Sequence, residues 1–260
     1  MRLSALSLLA LAACASPPSP RGDAPALAAL AEARAAHGSA GLDGATALFT
    51  FRGTPYQATH DGGRFRYART RTEGGQTVEE IVDNDGARRL VDGTEVALSA
   101  DEAAALHTSV NSVVYFALLP HALAAPAVRA RSLAPDTVGG APYRRVEVTF
   151  DQAGGGDDWQ DRYVYWIHAD RATVDYLAYS YEPTPGDTAR AETGSRFREV
   201  IGVTEVPAPG GQTVRFQDYR NLTADRIGTE IERYGELFDA GQTFSVSEVR
   251  TEAPAVRAVE

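Results

Sequence analysis

An acidic, glycine-rich segment holds the densest set of potential metal ligands in the sequence. Its four carboxylates surround a flexible glycine run and could bind Ca²⁺, which takes oxygen ligands at adaptable geometry. The spacing does not match an EF-hand, and such segments also form ordinary hairpin turns. We prefer the hairpin interpretation and predict no metal ligand. The segment reads Asp151-Gln152-Ala153-Gly154-Gly155-Gly156-Asp157-Asp158-Trp159-Gln160-Asp161.

The remaining residue types offer little chemistry in local motifs. The five histidines show no zinc spacing, and no Gly-x-Ser-x-Gly motif supplies a nucleophile. Lysine is absent, which excludes Schiff-base aldolases, pyridoxal-phosphate enzymes and P-loop nucleotide hydrolases. We therefore predict no catalytic residue and no cofactor. A hydrolase would need two or more histidines to converge with acids in a cleft, from among His60, His107, His121 and His168.

Aromatic residues cluster within 23 positions of the sequence. Aromatic pairs across neighbouring strands stabilise a sheet, so the cluster is typical of a packed core. The same side chains suit the wall of an apolar groove, because tyrosine and tryptophan combine an apolar body with a polar edge. The sequence favours the core and leaves the groove open. The cluster consists of Trp159, Tyr163, Tyr165, Trp166, Tyr176, Tyr179 and Tyr181.

The N-terminal segment has the pattern of an export signal. Arg2 precedes a short apolar run that ends in small residues directly before Cys14, the single cysteine. The run is too short to span a membrane as a helix. It resembles a bacterial lipoprotein signal, which implies cleavage after residues 1–13 and attachment of lipid to Cys14. Residues 14–25, rich in proline and serine, are then the lipidated cysteine and a flexible tether.

This resemblance also implies a location. A lipidated Cys14 would anchor the protein to a membrane from outside the cytoplasm. Ala15-Ser16 lacks the aspartate that retains some lipoproteins at the inner membrane, which favours the outer membrane, facing the periplasm. The formal charge of −10 argues against nucleic acid as a partner.

Hydrophobic periodicity predicts a single, mainly β domain over residues 26–260. A short helix over Leu27–His37 precedes a meander of strands with period-two alternation from Thr46 onward. Ser99 and Glu102 form a capping box, which begins a helix running to Leu119. A loop then leads to further strands, and a second capping box at Thr229 begins another helix. The later strands are predicted at 145–150, 162–168, 173–181, 197–203, 213–219 and 243–249.

Several segments resemble an uncharacterised family of bacterial lipoproteins. The element order is similar to that of the lipoprotein-carrier, LolA-like fold. That resemblance implies a curved antiparallel sheet or unclosed β-barrel, with an N-terminal helix and helices that plug its concave face. No activity is established for the family, so it implies no catalytic residue. The segments that carry the resemblance are 109–116, 148–161, 163–167, 174–181 and 196–199.

These observations lead to three hypotheses. The first is a lipid-anchored envelope protein that binds an acyl chain, a lipid or a lipoprotein tail without catalysis, because an incompletely filled barrel leaves an apolar cavity. The second is a structural or interaction subunit with an envelope protein partner, and the third is the hydrolase. For the first, the predicted ligand-binding residues are Leu106, Val110, Val113, Val114, Phe116, Tyr163, Tyr165 and Trp166.

Overall fold

A computed structural model describes residues 19–155, 159–181, 194–222 and 241–254. The predicted signal peptide and Cys14 lie outside these ranges, as do Asp157, Asp158 and the helix predicted after Thr229. The division into residues 1–13, 14–25 and 26–260 stays a prediction, but the end of the predicted flexible tether is ordered: Arg21–Gly22 form a strand paired with Val128–Val138, and a helix begins at Ala24. No helix in the described ranges has the length and apolar content needed to cross a membrane.

The first sheet is an antiparallel meander. Its strands are β2 (Ala45–Phe51), β3 (Thr54–Asp61), β4 (Arg64–Glu73), β5 (Gln76–Asp83), β6 (Gly86–Val91), β7 (Thr94–Val96) and the C-terminal β15 (Val246–Glu252), which pairs with β2. The predicted hairpin turn joins β3 to β4, where Gly62 and Gly63 adopt φ angles of 56° and 87°. Glycine takes these angles without steric cost, so this part of the meander follows from the sequence.

The second sheet is antiparallel except at one edge, where β1 pairs with β8 in parallel. Its strands are β1 (Arg21–Gly22), β8 (Val128–Val138), β9 (Ala141–Phe150), β10 (Arg162–His168), β11 (Val174–Tyr181), β12 (Gly194–Pro207), β13 (Thr213–Asn221) and β14 (Thr243–Phe244). β10 lies between β9 and β11, and Tyr165 and Trp166 on it are both fully buried. This confirms the prediction that residues 162–168 form a central strand.

The two sheets meet where β14 leads into β15 through Ser245. Val246 N donates to Asp218 Oδ1 at 2.9 Å, which ties the start of β15 to β13 in the other sheet. The sheets do not close into a barrel. The predicted fold class, a mainly β protein with a curved, unclosed sheet and helices, is confirmed.

In the described ranges, two α-helices pack against these sheets. α1 (Ala24–Ala36) begins at Asp23, whose carboxylate accepts from Ala26 N at 2.9 Å. α2 (Ala100–Ala117) begins with the predicted capping box, in which Ser99 and Glu102 each accept a hydrogen bond from the other's backbone N–H. α2 contacts β4, β5 and β6 of the first sheet and β13 of the second. It therefore lies between the two sheets and helps to form their common core.

Two parts of the sequence prediction were wrong. The strand predicted over residues 243–249 is divided between β14 and β15, which belong to different sheets. The proline-containing stretch before Arg145 was predicted to be a loop, whereas Val128–Val138 forms the long strand β8. Pro135 falls at the register shift between Leu133 and Asp136, where the ladder with β9 is interrupted. A proline is tolerated at such an irregularity because no ladder N–H is required from it.

The second sheet buries residues on both of its faces. Tyr163, Tyr165 and Ile167 join the main core with α1, α2 and the first sheet. Val164 and Trp166, which alternate with them, belong to a separate cluster with Tyr143, Ala178, Phe197 and Leu222. Successive strand residues point to opposite faces, so the separation into two clusters is what a central strand requires.

Candidate functional site

A cavity of about 880 Å³ lies between α2 and the two sheets. The first sheet contributes Tyr56 and Tyr67, and α2 contributes residues from His107 to Phe116. The second sheet contributes Tyr163, Tyr179 and Arg198. The helix does not fill the concave space completely, and the remaining volume is of the size that proteins use for small ligands.

The structure brings three of the eight predicted ligand-binding residues together at this cavity. They are Val113, Phe116 and Tyr163. Four others belong to the main core and do not line the cavity: Leu106, Val110, Val114 and Tyr165. Trp166 lies on the opposite face of the second sheet, where its Nε1 donates to Asp136 Oδ2 at 2.9 Å.

Aromatic rings in mutual contact form one wall of the cavity. The ring centroid of Phe116 lies 5.3 Å from that of Tyr179 and 6.0 Å from that of Phe244. Tyr179 in turn stacks on Tyr163 at 5.3 Å. Tyr115 contacts Tyr163 at 5.5 Å, and burial raises the pKa of its hydroxyl, which stays neutral. The wall is thus apolar and rigid, with a few hydroxyls at its edge.

The sequence did not single out Phe244 as part of this wall. Phe244 was predicted within a strand over residues 243–249, whereas it ends the two-residue strand β14. Tyr56 and Tyr67 were also missed, because they occur in ordinary alternating strands of the meander. The grouping depends on how the two sheets meet, which no local pattern contains.

The cavity also carries positive charge. Among the described residues that line it are Arg34, Arg52, Arg64, Arg69, Arg196 and Arg198, against Asp43, Asp61 and Asp161. This excess of arginine contrasts with the formal charge of −10 for the chain. A cavity with apolar walls and an excess of cations suits a ligand that is partly apolar and partly anionic.

Arg198 is the most buried of these arginines, with 7% of its surface exposed. Its Cζ lies 4.3 Å from the ring centroid of Phe116 and 5.5 Å from that of Tyr179. Its Nε donates to Asn221 Oδ1 at 3.0 Å. Its Nη1 is buried and has no hydrogen-bond partner among the described residues. The guanidinium therefore faces the cavity with part of its bonding capacity unused.

Arg69 lines the same cavity in a different way. Its Nε donates to Glu80 Oε2 at 2.7 Å, and its Nη2 donates to Ser109 Oγ of α2 at 3.0 Å. Glu80 is fully buried and also binds Arg71 and Arg89. Burial by itself would raise the pKa of Glu80, but these arginines lower it to about 2. We call Glu80, Arg69, Arg71 and Arg89 the Glu80 cluster. In this cluster the buried negative charge of Glu80 is fully paired with arginines.

His60 and His121 meet at the cavity, with ring centroids 4.4 Å apart. His60 Nε2 lies 3.0 Å from the Tyr67 hydroxyl, and His121 Nδ1 donates to the carbonyl of Ser39 at 3.2 Å. Burial, together with the neighbouring His121, lowers the pKa of His60 to about 3. Burial also lowers the pKa of His121. Both rings are therefore neutral near pH 7.

The convergence of histidines that a hydrolase requires is thus present in part. His60, His107 and His121 all line the cavity, together with three aspartates, whereas His168 is buried elsewhere. In the described ranges, however, neither His60 nor His121 hydrogen-bonds a carboxylate or a hydroxyl nucleophile of serine or threonine. Among the described residues, the hydrogen bonds of these two rings go to the Tyr67 hydroxyl and to the backbone carbonyl of Ser39.

The acidic segment lies partly at the cavity, which Gly154, Gly155 and Asp161 line. Asp151 pairs with Arg21 and Arg129, so its carboxylate is already neutralised. Within the ranges that the structure describes, no three histidine, cysteine or carboxylate groups are placed to hold a metal ion. Because Asp157 and Asp158 lie outside those ranges, calcium binding by the whole segment stays an open prediction.

Comparison with protein families gives one match. The sequence profile of a family of unknown function (DUF6503) matches residues 54–251, which is more than half of the chain. This bears out the resemblance to an uncharacterised family, while its lipoprotein character stays a prediction. No curated protein sequence matches the chain.

Solved structures with a related layout include three proteins of low sequence identity. A DUF1329 family protein from Desulfovibrio piger ATCC 29098 is 13% identical over 89% of this chain and 95% of its own, with a TM-score of 0.38. A domain described as an outer membrane lipoprotein-sorting protein, from Vibrio parahaemolyticus, is 9% identical over 89% and 95%, with a TM-score of 0.34. MucB is 12% identical over 89% and 100%, with a TM-score of 0.23. At these TM-scores the likenesses assign no function to this chain.

Proposed function

The chain belongs to the DUF6503 family of unknown function, and we propose that it binds a hydrophobic ligand non-covalently in the cavity between α2 and the two sheets. The observation that carries this proposal is the cavity of about 880 Å³ with a wall of contacting aromatic rings. Protein interiors are normally packed without voids of this size, so an unfilled space on this scale favours a ligand.

The shape of the lining favours an acyl chain, a lipid or a lipoprotein tail. Val113, Phe116 and Tyr163 are the predicted residues that the proposal keeps as its apolar wall. Apolar area removed from water stabilises a complex by roughly 25 cal/mol per Å², so an acyl chain of ordinary length would gain several kcal/mol. That gain is enough for non-covalent retention after the costs of association.

We propose a binding role rather than catalysis. His60 and His121 converge, but in the described ranges their hydrogen bonds go to Tyr67 and to a backbone carbonyl. With both rings neutral and neither joined to a nucleophile, they suit a polar lining better than a catalytic pair. An envelope subunit with a solid core, the second hypothesis, is disfavoured by the cavity itself.

We propose further that the protein acts in the cell envelope. The support is the sequence alone: the resemblance of residues 1–13 to a lipoprotein signal, and Cys14 directly after it. A lipid on Cys14 and the proline-rich segment that follows it, up to β1, would hold the binding domain near an outer membrane, facing the periplasm. A protein partner in the envelope would then be the source or the recipient of the ligand.

Native mass spectrometry of the full chain tests the binding proposal. The protein would carry Cys14→Ser, so that no covalently attached lipid is mistaken for a ligand. We expect a stoichiometric acyl or lipid adduct, either as purified or after incubation with membrane lipids. A clean apo mass under both conditions would contradict the proposal.

A cavity-filling variant locates the site. Val113 lines the cavity and is 8% exposed, so Val113→Trp places an indole in the ligand volume. We expect the variant to bind the lipid with an affinity roughly tenfold or more below that of the parent chain, which corresponds to about 1.4 kcal/mol of binding free energy. Val203→Trp is the matched control, because Val203 is 40% exposed and does not line the cavity. Equal binding by the two variants would place the ligand elsewhere.

A further inference from the structure

The most unusual group in the cavity is the Arg198 guanidinium. Only 7% of the Arg198 surface is exposed, and its guanidinium packs on the ring of Phe116. Its Nη1 has no hydrogen-bond partner among the described residues. A buried charge is costly to leave unpaired, and proteins normally pair such groups with a carboxylate. Here Nε is paired with the neutral amide of Asn221, and no ion pair joins Arg198 to a described carboxylate.

The aromatic rings around Arg198 reduce this cost without removing it. Phe116, Tyr179 and Phe244 have centroids 4.3, 5.5 and 5.9 Å from Cζ, within the range of cation–π attraction. A ring face offers no acceptor lone pair in the plane of the guanidinium, so Nη1–H remains without an acceptor. Arg198 itself lines the cavity, so an acceptor that enters the cavity can approach its guanidinium.

The carboxylates that line the cavity, those of Asp43, Asp61 and Asp161, form no ion pair with Arg198 in the described ranges. Asp161 accepts a hydrogen bond from the Tyr163 hydroxyl at 3.4 Å. Arg34, Arg52 and Arg64 add further positive charge to the lining. The local field therefore favours an anion although the chain as a whole is acidic.

We infer that the ligand of the proposed function is an amphiphile with a compact anionic head, and that Arg198 binds this head while the aromatic wall receives the acyl chain. This inference rests on the proposed function and adds the chemical class of the ligand. The planar guanidinium matches carboxylate and phosphate oxygens, which accept parallel N–H bonds from it.

Three probes with the same palmitoyl chain test the role of the head. They are palmitate, 1-palmitoyl lysophosphatidate and methyl palmitate, each titrated calorimetrically into the full chain carrying Cys14→Ser, near pH 8. We expect one or both anionic probes to bind roughly tenfold or more tightly than the neutral ester. The order of palmitate and lysophosphatidate distinguishes a fatty acid from a phospholipid as the source of the head.

The variant Arg198→Met removes the cation and keeps an apolar side chain of similar length. We expect it to lose the preference for the anionic probes while it binds methyl palmitate within about twofold of the parent, which also shows that it is folded. Arg198→Lys keeps the charge without the planar fork, and should retain part of the preference. Arg250→Met is the matched control, because Arg250 is exposed on β15 and does not line the cavity.

The outcomes separate the two proposals. If all three probes bind equally and Val113→Trp still blocks them, the hydrophobic site stands and the anionic head is wrong. If Arg198→Met keeps the full preference, Arg198 is not the head-binding group. If no probe binds, both proposals fail for acyl ligands. Binding of inorganic phosphate as tight as that of the lipid anions would overturn the amphiphile, since the head alone would then suffice.

Discussion

Two buried charges in this molecule are treated in opposite ways. In the first sheet, the carboxylate of Glu80 is fully buried and receives hydrogen bonds from Arg69, Arg71 and Arg89. In the second sheet, the guanidinium of Arg198 is almost as buried, but among the described residues it donates only to the Asn221 amide oxygen and otherwise packs on aromatic rings. The negative charge of Glu80 therefore has more cationic partners than it needs, whereas the positive charge of Arg198 has no anionic partner among the described residues.

The difference indicates what each region is for. A buried charge with complete partners costs little to keep and much to break, as expected of a structural cluster. A buried charge with missing partners is an unfavourable arrangement in the empty protein, and it becomes favourable when a ligand supplies the missing group. The Glu80 cluster therefore holds the sheet and α2 in place, while Arg198 is available for binding.

The largest effect should come from Glu80→Gln. The substitution leaves three arginines without their common carboxylate in a buried site, and we expect a loss of about 3–5 kcal/mol in the free energy of unfolding. Glu79→Gln is the matched control, since Glu79 lies on the same strand in a half-exposed pair with Arg66 at 2.6 Å. It should cost less than about 1 kcal/mol. Denaturant titration measures both, and similar losses would remove the structural role of Glu80.

Acid should weaken the same cluster. The arginines overcome the effect of burial and lower the pKa of Glu80 from 4.5 to about 2. A carboxylate with a depressed folded-state pKa contributes its stability above pH 4.5, and the contribution is lost as the pH falls from 4.5 towards about 2.

Denaturant titrations from about pH 6 down to about pH 2.5 measure this loss. Glu80→Gln lacks the titrating group, so its deficit relative to the parent chain should shrink across that interval. A deficit that is constant with pH would show that the cluster does not depend on the ionised carboxylate.

Replacing an arginine by methionine should change the free energy of unfolding in opposite directions at the Glu80 cluster and at Arg198. Arg89→Met removes two hydrogen bonds to Glu80, of 2.9 and 2.8 Å, and should lower the free energy of unfolding by about 2 kcal/mol. Arg198→Met removes an incompletely paired buried cation and should raise it by about 1 kcal/mol in the ligand-free protein. Thermal and denaturant unfolding give both values. A comparable loss for Arg198→Met would make Arg198 a structural residue and end the contrast.

The frame around these charges could be predicted from local patterns. Period-two alternation and glycine turns predicted the meander, and the Ser99–Glu102 capping box predicted the start of α2. β8 could not be predicted, because prolines and glycines in and around it indicate a loop. The structure places Pro135 at a register shift, and only the pairing with β9 reveals that the strand continues past it.

The candidate site was only partly predictable. Val113 and Phe116 follow from the apolar helix, and Tyr163 from the aromatic cluster. Arg198 does not, because in the alternating run that contains Phe197 and Arg198 the arginine would be expected to face solvent. In the structure Phe197 joins the outer cluster and Arg198 faces the cavity, since both faces of this sheet are covered. Trp166 is the converse case, an aromatic residue of the predicted wall that lies on the outer face.

The smallest predicted effect concerns the contact between the Glu80 cluster and α2. Arg69 Nη2 donates to Ser109 Oγ at 3.0 Å, and that hydroxyl donates to the carbonyl of Leu106 at 3.2 Å. Ser109→Ala should cost about 1 kcal/mol in the free energy of unfolding, because Arg69 keeps Glu80 and the Tyr56 hydroxyl as partners.

Ser112→Ala is the comparison for this contact. The Ser112 hydroxyl donates to the carbonyl of Ser109 at 3.5 Å, too long for a strong bond, so its removal should change the free energy of unfolding by less than about 0.5 kcal/mol. Denaturant titration of the two variants isolates the link between cluster and helix. Equal values would mean that apolar packing alone positions α2 over the cavity. A larger loss for Ser109→Ala would mean that the Glu80 cluster, through Arg69, also positions α2, the helix that lines the cavity together with Arg198.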